Sequence, residues 1–374
     1  MTKGLALTYT SFDSDISKVV SVSEYDIDFS DLKPNQVAIQ ALATPVNPSD
    51  LVQIQGVYTV PRTQTVQGKE VHIGGNEGLY QVVKVGDSIK EFKAGDWAIT
   101  KLPNFGTWRT HAILDFYDDA NTGLNDVPLI KIKDSTKAST NITISEAATI
   151  GVNPPTAYQI LEQFVEFDNS GKDWVIQNAG ASQVSKFLAQ IAKHRKINVI
   201  SVIRGGKPNH DEIVKELIDL GATKVITEEE SQSEKFQTET IPQWLKETGG
   251  SLKLAVNSVG GKSASALFKH LSQDGFLVSY GVLDPEPISY SIGLQLFKNI
   301  TTKAYWFTKN TKTDPESKVR TLTSVIDLFE SGDIKNIEFE KNVYKLGDRK
   351  EAFLEAYKNA FAKSSKAKQV VIFE

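Results

Sequence analysis

The sequence of 374 residues predicts an α/β protein with two domains, a barrel of short β-strands and a doubly wound parallel sheet. Residues 1–130 contain short β-branched or alternating runs separated by Pro, Gly, Asn and Asp, as in a small barrel. After residue 140, helical stretches alternate with short, wholly apolar runs, which is typical of βαβ units. The length also suits two to three domains of ordinary size.

The barrel domain is predicted to comprise residues 1–140 and 322–374. Its strands are expected at Leu5–Tyr9, Gln36–Ala43, Leu79–Val85 and Trp97–Thr100. Turn signals, Gly86-Asp87 and Gly95-Asp96, lie between these runs. The C-terminal part has helical stretches at Thr323–Ser331 and Arg349–Ala362, and a final apolar strand, Gln369–Phe373, that is expected to return to the barrel.

The parallel sheet is predicted within residues 141–321. Its strands are the apolar runs at Trp174–Gln177, Asn198–Ile203, Lys224–Thr227, Leu252–Val256 and Phe276–Tyr280. Helices around Val184–His194 and Asp211–Leu220 connect the first three. Strands covered by helices on both faces are apolar throughout, which explains the absence of alternation in these runs.

Composition excludes several classes of function. The formal net charge of −4 gives no basic excess, so no nucleic-acid partner is expected. No apolar run approaches the roughly 20 residues that span a bilayer, so no membrane partner is expected. The acidic N-terminal residues are unlike a targeting peptide, and a presequence that had been removed would leave no trace.

The chain contains no cysteine, which excludes disulfides, a thiolate nucleophile and thiolate metal ligands. Its five histidines have no i, i+3 or i, i+4 pairing. We therefore expect no bound metal.

A small-residue turn between a strand and a helix lies within Asp173–Lys186. Backbone amides in such a turn approach a pyrophosphate, and the helix N-terminus adds positive potential. Gly180 is the only glycine, and small or polar residues follow it at Ala181, Ser182, Gln183 and Val184. An ordinary strand–helix connection explains this turn as well as a cofactor site does.

The next predicted strand ends at Arg204, where an NAD site would place an acid to hold the ribose diol. Arg204, with the free backbone of Gly205 and Gly206, instead offers positive charge to a 2′-phosphate. The alternative is a solvated arginine at the end of a strand. The position relative to the turn favours NADPH.

The segment Ile73–Gly78 resembles the Gly-His-Glu motif of the zinc alcohol dehydrogenases. In those enzymes the histidine is a metal ligand, whereas this chain has Asn76 there. Metal-assisted transfer to an alcohol or ketone is therefore not expected.

Segments along nearly the whole chain resemble the mitochondrial trans-2-enoyl thioester reductases, zinc-free members of the medium-chain dehydrogenase/reductase superfamily, and above all the yeast members. They are Asn47–Asp50, Gln55–Tyr58, Gly75–Gly78, Phe105–Thr110, Gly151–Pro154, Ile176–Ala179, Ser201–Arg204, Asn257–Lys262 and Tyr305–Trp306. The resemblance implies a GroES-like catalytic domain, a Rossmann cofactor domain, NADPH as cofactor, a homodimer and a role in fatty acid synthesis in the mitochondrial matrix. The substrate it implies is an enoyl thioester of CoA or acyl carrier protein.

The resemblance also implies site residues. Tyr58 matches the catalytic tyrosine of the family. The positions that match its NADPH contacts are Asn153, Ala181 to Val184, Arg204, Tyr280, Gly281, Val282, Leu283, Tyr305, Trp306, Phe307 and Lys368. Two segments depart from the family: Arg204-Gly-Gly stands where it has Arg-Asp-Arg, and Tyr280-Gly-Val-Leu where it has Tyr-Gly-Gly-Met. The first departure removes a second cation from the expected 2′-phosphate site.

A tyrosine suits this reaction because hydride addition to the β-carbon places negative charge on the thioester oxygen. A hydroxyl with pKa about 10 stays protonated at neutral pH and can donate both a hydrogen bond and a proton. Without the resemblance, Tyr58 would be interpreted as a loop aromatic that covers a barrel end. Trp108 and Arg109 are weaker candidates that could instead pack on the barrel.

Aromatic residues could line a slot for the acyl chain, although core packing is their commoner role; the candidates are Phe105, Trp306 and Phe307. A basic stretch could meet an acidic carrier protein, although solvated surface charge is the simpler interpretation; it comprises Lys309, Lys312, Lys318 and Arg320. Two alternative functions remain at this point. One is a zinc-free NADPH quinone or enone reductase, and the other is a regulatory protein that binds NADPH without catalysis.

Overall fold

The computed structural model describes residues 1–59, 61–116, 127–136, 142–364 and 367–374. The chain divides into two compact units. The barrel unit consists of Met1–Val152, Thr308–Glu330 and Asn336–Glu374, and the sheet unit consists of Asn153–Phe307 and Ser331–Lys335. No described helix is both long enough and apolar enough to cross a bilayer.

The first part of the barrel unit is mostly β-structure. Its strands are β1 (Thr2–Tyr9), β2 (Ser21–Ile27), β3 (Gln36–Val46), β4 (Thr63–Val66), β5 (Lys69–Ile73), β6 (Leu79–Val85), β7 (Trp97–Thr100), β8 (His111–Asp115) and β9 (Leu129–Lys133), and its helices are α1 (Pro48–Ile54) and α2 (Ile144–Thr149). Helix α1 begins at Pro48 because Asn47 and Asp50 form a capping box, in which the Asp50 carboxylate accepts from the Asn47 amide.

The sheet unit alternates helices and strands in chain order. Its elements are α3 (Asn153–Gln163), β10 (Trp174–Gln177), α4 (Gln183–His194), β11 (Asn198–Ile203), α5 (His210–Asp219), β12 (Lys224–Thr227), α6 (Glu228–Gln232), α7 (Ile241–Thr248), β13 (Leu252–Asn257), α8 (Gly261–His270), β14 (Phe276–Ser279), α9 (Ile292–Phe297) and β15 (Thr301–Ala304). The six strands are parallel in the order β12-β11-β10-β13-β14-β15. The strand order therefore reverses between β10 and β13, the switch point at whose carboxyl edge such sheets bind ligands.

The C-terminal part completes the barrel unit. Its elements are α10 (Phe307–Thr313), α11 (Pro315–Glu330), β16 (Glu340–Tyr344), α12 (Lys350–Lys363) and β17 (Gln369–Phe373). Strand β17 pairs with β3, so the predicted return of the final strand is confirmed. The barrel unit has one sheet in the order β2-β1-β5-β4 and a second in the order β16-β17-β3-β6-β7-β9, with β8 on β3.

Trp108 and Arg109 are part of the packing of the barrel unit. Trp108 is fully buried against Tyr357, and its indole N–H donates to the Pro45 carbonyl (3.2 Å). The Arg109 guanidinium donates to the carbonyls of Gly106 and Phe105 (2.6 Å each) and lies over the Phe105 ring. These contacts give Trp108 and Arg109 a packing role in the barrel unit, the alternative to a role in the active site.

The chain passes from one compact unit to the other between Val152 and Asn153 and between Phe307 and Thr308, whereas the predicted domain boundaries lie at 140/141 and 321/322. Helix α2 packs on β3, and Lys318 of α11 donates to the Thr100 carbonyl (3.0 Å), so these helices belong to the barrel unit. The predicted bounds mark where helices begin to dominate. A compact unit also includes the helices that pack on its strands.

Candidate active site

The turn between β10 and α4 presents free backbone donors. Ala179 has a left-handed φ of 46°, and the Ser182 hydroxyl caps α4 by accepting from the Ser185 amide (3.3 Å). Within the described residues the amides of Ala181, Gln183 and Val184 have no hydrogen-bond partner. Free amides at a helix N-terminus fit the pyrophosphate of a dinucleotide.

Gly180 permits the close approach of this turn to the neighbouring strand. Its amide donates to the Val202 carbonyl (2.8 Å), and a Cβ at this position would lie 2.9 Å from the Ser201 Cβ. No larger residue fits there unless β11 moves. Gly180 therefore holds the turn against β11, which is a packing role beside the proposed cofactor contact.

Arg204 follows β11 directly and is exposed, and it has no acidic partner within the described residues. The Glu229 carboxylate of α6 lies 2.8 Å from the place where a Cβ of Gly205 would be. A side chain at 205 would displace this carboxylate. The approach of Glu229 also brings a negative charge beside the expected 2′-phosphate position, a feature that sequence reasoning missed because residues 205 and 229 belong to different strand–helix connections.

A row of amides lines the carboxyl ends of β10, β13 and β14, at the switch point. Asn178 Nδ2 donates to Asn257 Oδ1 (2.7 Å), and Asn257 Nδ2 donates to the Ser279 hydroxyl (2.9 Å). The Asn178 Oδ1 in turn accepts from the Ser258 amide (2.8 Å). Sequence reasoning missed these residues as a group; the only signal was that each is polar and ends an apolar run.

The structure brings the predicted cofactor segment Tyr280–Leu283 next to this row, because the Tyr280 amide donates to the Asn257 carbonyl (2.9 Å). Val282 and Leu283 are 74% and 70% exposed. The segment is open to a ligand, and its role in NADPH binding stays a prediction.

Tyr305 is engaged by the protein itself. Its ring is buried, and its hydroxyl bonds to Gln159 Oε1 of α3 (2.8 Å). Trp306 is 39% exposed and Phe307 is partly buried, whereas Asn153 begins α3. Of this group, Trp306 has the most exposed side chain.

Tyr58 lies in the barrel unit, in the loop that follows α1, and it is partly buried. The preceding Gly56 has a left-handed φ of 78° and lies against Phe12. Thr59 comes directly after Tyr58. The loop therefore presents the tyrosine from a short connection after a capped helix.

Buried charges lie at the N-terminal end of α1, the helix that precedes this loop. Glu77 is 2% exposed and accepts from Asn47 Nδ2 (2.9 Å) and from the Gly151 amide (2.8 Å). The Lys368 ammonium lies 3.9 Å from the Glu77 carboxylate and donates to Asn47 Oδ1. Burial lowers the pKa of Lys368, and Glu77 and Asp50 oppose this shift. Lys368 thus already has partners inside the barrel unit, and its contact with NADPH stays a prediction.

The interpretation of Lys318 as solvated surface charge is wrong. Its side chain is buried and donates to the Thr100 carbonyl, and burial lowers its pKa to about 8. The spacing of α11 turns this residue inward, toward the barrel. Arg320 is exposed and pairs with Asp314 (2.8 Å), as expected for surface charge.

No cluster of three or more His, Asp or Glu side chains that could hold a metal ion occurs within the described part of the chain. The Asn76 amide is instead bonded to protein groups, since its Nδ2 donates to Asp50 Oδ1 (2.8 Å). The absence of a metal from the working protein stays a prediction.

The sequence matches known families along most of its length. Residues 33–111 match the alcohol dehydrogenase GroES-like domain, and residues 151–324 match the family described as zinc-binding dehydrogenase. The mitochondrial enoyl-[acyl-carrier-protein] reductase 1 of Debaryomyces hansenii is 46% identical over 379 residues, which cover 98% of each chain. The chain belongs to the mitochondrial enoyl-[acyl-carrier-protein] reductases. The predicted family and fold class are thereby confirmed.

Solved structures of this reductase family agree along the whole chain. The mitochondrial 2-enoyl thioester reductase heterodimer of Candida tropicalis matches with a TM-score of 0.90 at 38% identity, covering 100% of both chains. A complex of Etr1p with NADP and crotonyl-CoA matches with a TM-score of 0.89 at 37% identity, again covering 100% of both chains. The NADPH quinone oxidoreductase of Kluyveromyces marxianus is also similar, with 37% identity over 91% of this chain and 87% of its own.

Proposed function

We propose that this reductase uses NADPH to reduce the carbon–carbon double bond of trans-2-enoyl thioesters. The observation that carries the proposal is the full-length match to enoyl-[acyl-carrier-protein] reductases, one of which was solved with NADP and crotonyl-CoA. Crotonyl-CoA is a 2-enoyl thioester, so the relatives include one named for an acyl-carrier-protein substrate and one solved with a CoA substrate. The predictions of an NADPH-dependent enoyl reductase and of NADPH as its cofactor are confirmed.

The sheet unit holds the cofactor. The free amides of Ala181, Gln183 and Val184 bind the pyrophosphate, and Arg204 binds the 2′-phosphate. NADPH supplies the hydride when bound. The protein contributes placement and electrostatics.

Tyr58 is the proton donor in this proposal. Hydride addition to the β-carbon leaves an enolate whose charge is concentrated on the thioester oxygen. The Tyr58 hydroxyl hydrogen-bonds to this oxygen and supplies the proton that the α-carbon takes up. A phenol suits the task because its ordinary pKa, about 10, keeps it protonated until the charge develops.

A quinone reductase is the second candidate, because the similar protein of Kluyveromyces marxianus is named an NADPH quinone oxidoreductase. A quinone accepts hydride on a conjugated carbonyl system and needs no proton donor fixed beside a thioester. No observation favours a purely regulatory protein.

The assembly that we propose is a homodimer formed through the sheet unit. Strand β15 is the edge strand of the sheet, and one of its sides pairs with no other strand in the described part of the chain. Helix α9, which precedes it, exposes Ile292, Leu296 and Phe297 to 75%, 70% and 80%. An apolar group of this kind beside an open strand edge suits a second copy of the chain. The Candida tropicalis relative is a heterodimer of two related chains.

The relatives are mitochondrial by name, and we assign this protein to the mitochondrion. We propose the matrix as its compartment and fatty acid synthesis as its process, on the basis of the family resemblance.

The experiment that tests the proposed function measures NADPH oxidation with crotonyl-CoA and with a quinone in parallel. We expect turnover of the thioester and little or none of the quinone, because only the thioester places its developing charge within reach of a fixed phenol. Quinone turnover without thioester turnover would instead establish the second candidate.

A further inference from the structure

The side chains of Gln53, Asn76 and Asn104, together with the Asn104 backbone amide, form a closed ring of hydrogen bonds that also contacts the Tyr58 loop. Asn76 Nδ2 donates to Gln53 Oε1 (2.9 Å), and Gln53 Nε2 donates to Asn104 Oδ1 (2.9 Å). The ring closes where the Asn104 backbone amide donates to Asn76 Oδ1 (2.9 Å). Asn76 is the residue that resembles the metal-binding histidine of the zinc alcohol dehydrogenases, and here its side chain bonds to Asp50 and Gln53.

Asp50 determines which group donates and which accepts in every hydrogen bond of this amide ring. Burial raises the pKa of Asp50 to about 6, so at neutral pH its carboxylate is ionised and can only accept; its Oδ1 takes the Asn76 Nδ2 (2.8 Å) and the Asn76 backbone amide (3.1 Å). Asn76 Oδ1 must therefore be the acceptor for Asn104, and the second Nδ2 hydrogen points to Gln53. Gln53 then has only its own N–H groups left to donate.

Those N–H groups reach the loop that carries Tyr58. Gln53 Nε2 donates to the carbonyl of Thr59 (3.0 Å), the residue after the tyrosine. On the other side of Tyr58, the amides of Gly56 and Val57 donate to the Gln53 and Val52 carbonyls (3.1 Å each). Gln53 is 3% exposed, so water does not compete for these bonds. The loop is held on both sides of the tyrosine, and Gln53 contributes to both.

We propose that Gln53, oriented by Asp50 through Asn76, is a positioning residue that fixes the Tyr58 hydroxyl for proton donation. This inference rests on the proposed role of Tyr58. Gln53 touches neither substrate nor cofactor in this account, and it acts only through the loop. A small displacement of a reacting group is enough to reduce the rate substantially.

The first test replaces Gln53 with methionine, which keeps the size of the side chain and removes its donors. We expect kcat with crotonyl-CoA to fall about five- to tenfold, with little change in NADPH affinity, because the tyrosine is misplaced only for the chemical step. Gln40→Met is the matched control, since it makes the same substitution on β3 of the same unit, where Gln40 Oε1 pairs with His111 Nε2 (3.3 Å) instead of with the loop. We expect its kcat to be that of the wild type.

A double-mutant cycle separates positioning from a general structural role. If Gln53 acts through the Tyr58 hydroxyl, then Gln53→Met causes no further loss of kcat in the Tyr58→Phe protein. An equal loss in both backgrounds, or no loss in the wild-type background, would overturn the inference. The proposed role of Tyr58 fails separately, through wild-type turnover by Tyr58→Phe alone.

The Gln53→Glu variant provides a pH signature. An ionised glutamate cannot donate to Thr59 or Asn104, whereas its protonated form can donate one bond. Asp50 and Glu77 are the negative groups nearby, and Lys368 is the positive one. Burial and the two carboxylates raise the pKa of the introduced acid, so kcat relative to wild type should rise as pH falls from about 9 to 7, a range in which Asp50, with a pKa of about 6, stays ionised. A ratio that is independent of pH would contradict the positioning role.

Discussion

Replacing Tyr58 with phenylalanine is expected to lower kcat on an enoyl thioester by roughly a hundredfold or more, the range for loss of one general acid or oxyanion donor. The phenyl ring preserves the packing of the loop after α1, and only the hydroxyl is removed. The hydroxyl matters most when negative charge has built up on the thioester oxygen. The loss should therefore be similar in kcat and in kcat/KM, as steady-state kinetics with crotonyl-CoA will measure.

NADPH affinity is the internal control for this variant, because the free amides and Arg204 that are proposed to bind the cofactor lie in the sheet unit, whereas Tyr58 lies in the barrel unit. We expect the Kd for NADPH to be nearly unchanged in Tyr58→Phe. A folded variant with wild-type turnover would remove the tyrosine from the mechanism and favour the quinone reductase.

The Arg204→Ala variant is expected to weaken NADPH binding about ten- to fortyfold and NADH binding much less. The reason is that a charge-assisted bond to the 2′-phosphate is lost, and NADH has no such phosphate. The effect should lie in the lower part of the range for such bonds, because Gly206 stands where the family has a second arginine and the Glu229 carboxylate lies beside Gly205. Fluorescence titration with both cofactors measures the two affinities.

Glu229→Gln is the matched variant for this site, since it removes a charge of opposite sign from the same neighbourhood. It should tighten NADPH binding and leave NADH binding almost unchanged. Equal losses for both cofactors in Arg204→Ala would show that the arginine is structural.

The parallel sheet was predictable from the sequence because each of its strands is marked by residues that are neighbours in the chain. The predicted strands Trp174–Gln177, Asn198–Ile203 and Lys224–Thr227 have the same bounds as β10, β11 and β12. Strands β10 and β11 are buried along almost their whole length, so each appears as a short, mostly apolar run; the buried polar exceptions Gln177 and Ser201 bond to each other. Helices covering the faces of the sheet then follow from the spacing.

The charge and amide networks were not predictable in the same way. Lys318 resembles any surface lysine in sequence, and only the packing of α11 on the barrel buries it beside Thr100. Likewise, Gln53, Asn76 and Asn104 are far apart in the chain and have no shared pattern. Their hydrogen bonds depend on three segments meeting in space, which local propensity does not encode.

The reaction itself is tested most directly by following deuterium into the product. Crotonyl-CoA is reduced with NADPH carrying deuterium on the transferred position in ordinary water, and separately with unlabelled NADPH in D₂O. We expect butyryl-CoA with deuterium on the β-carbon in the first experiment and on the α-carbon in the second. Cofactor deuterium on the α-carbon, or NADPH oxidation that yields no saturated thioester, would contradict the proposed reaction.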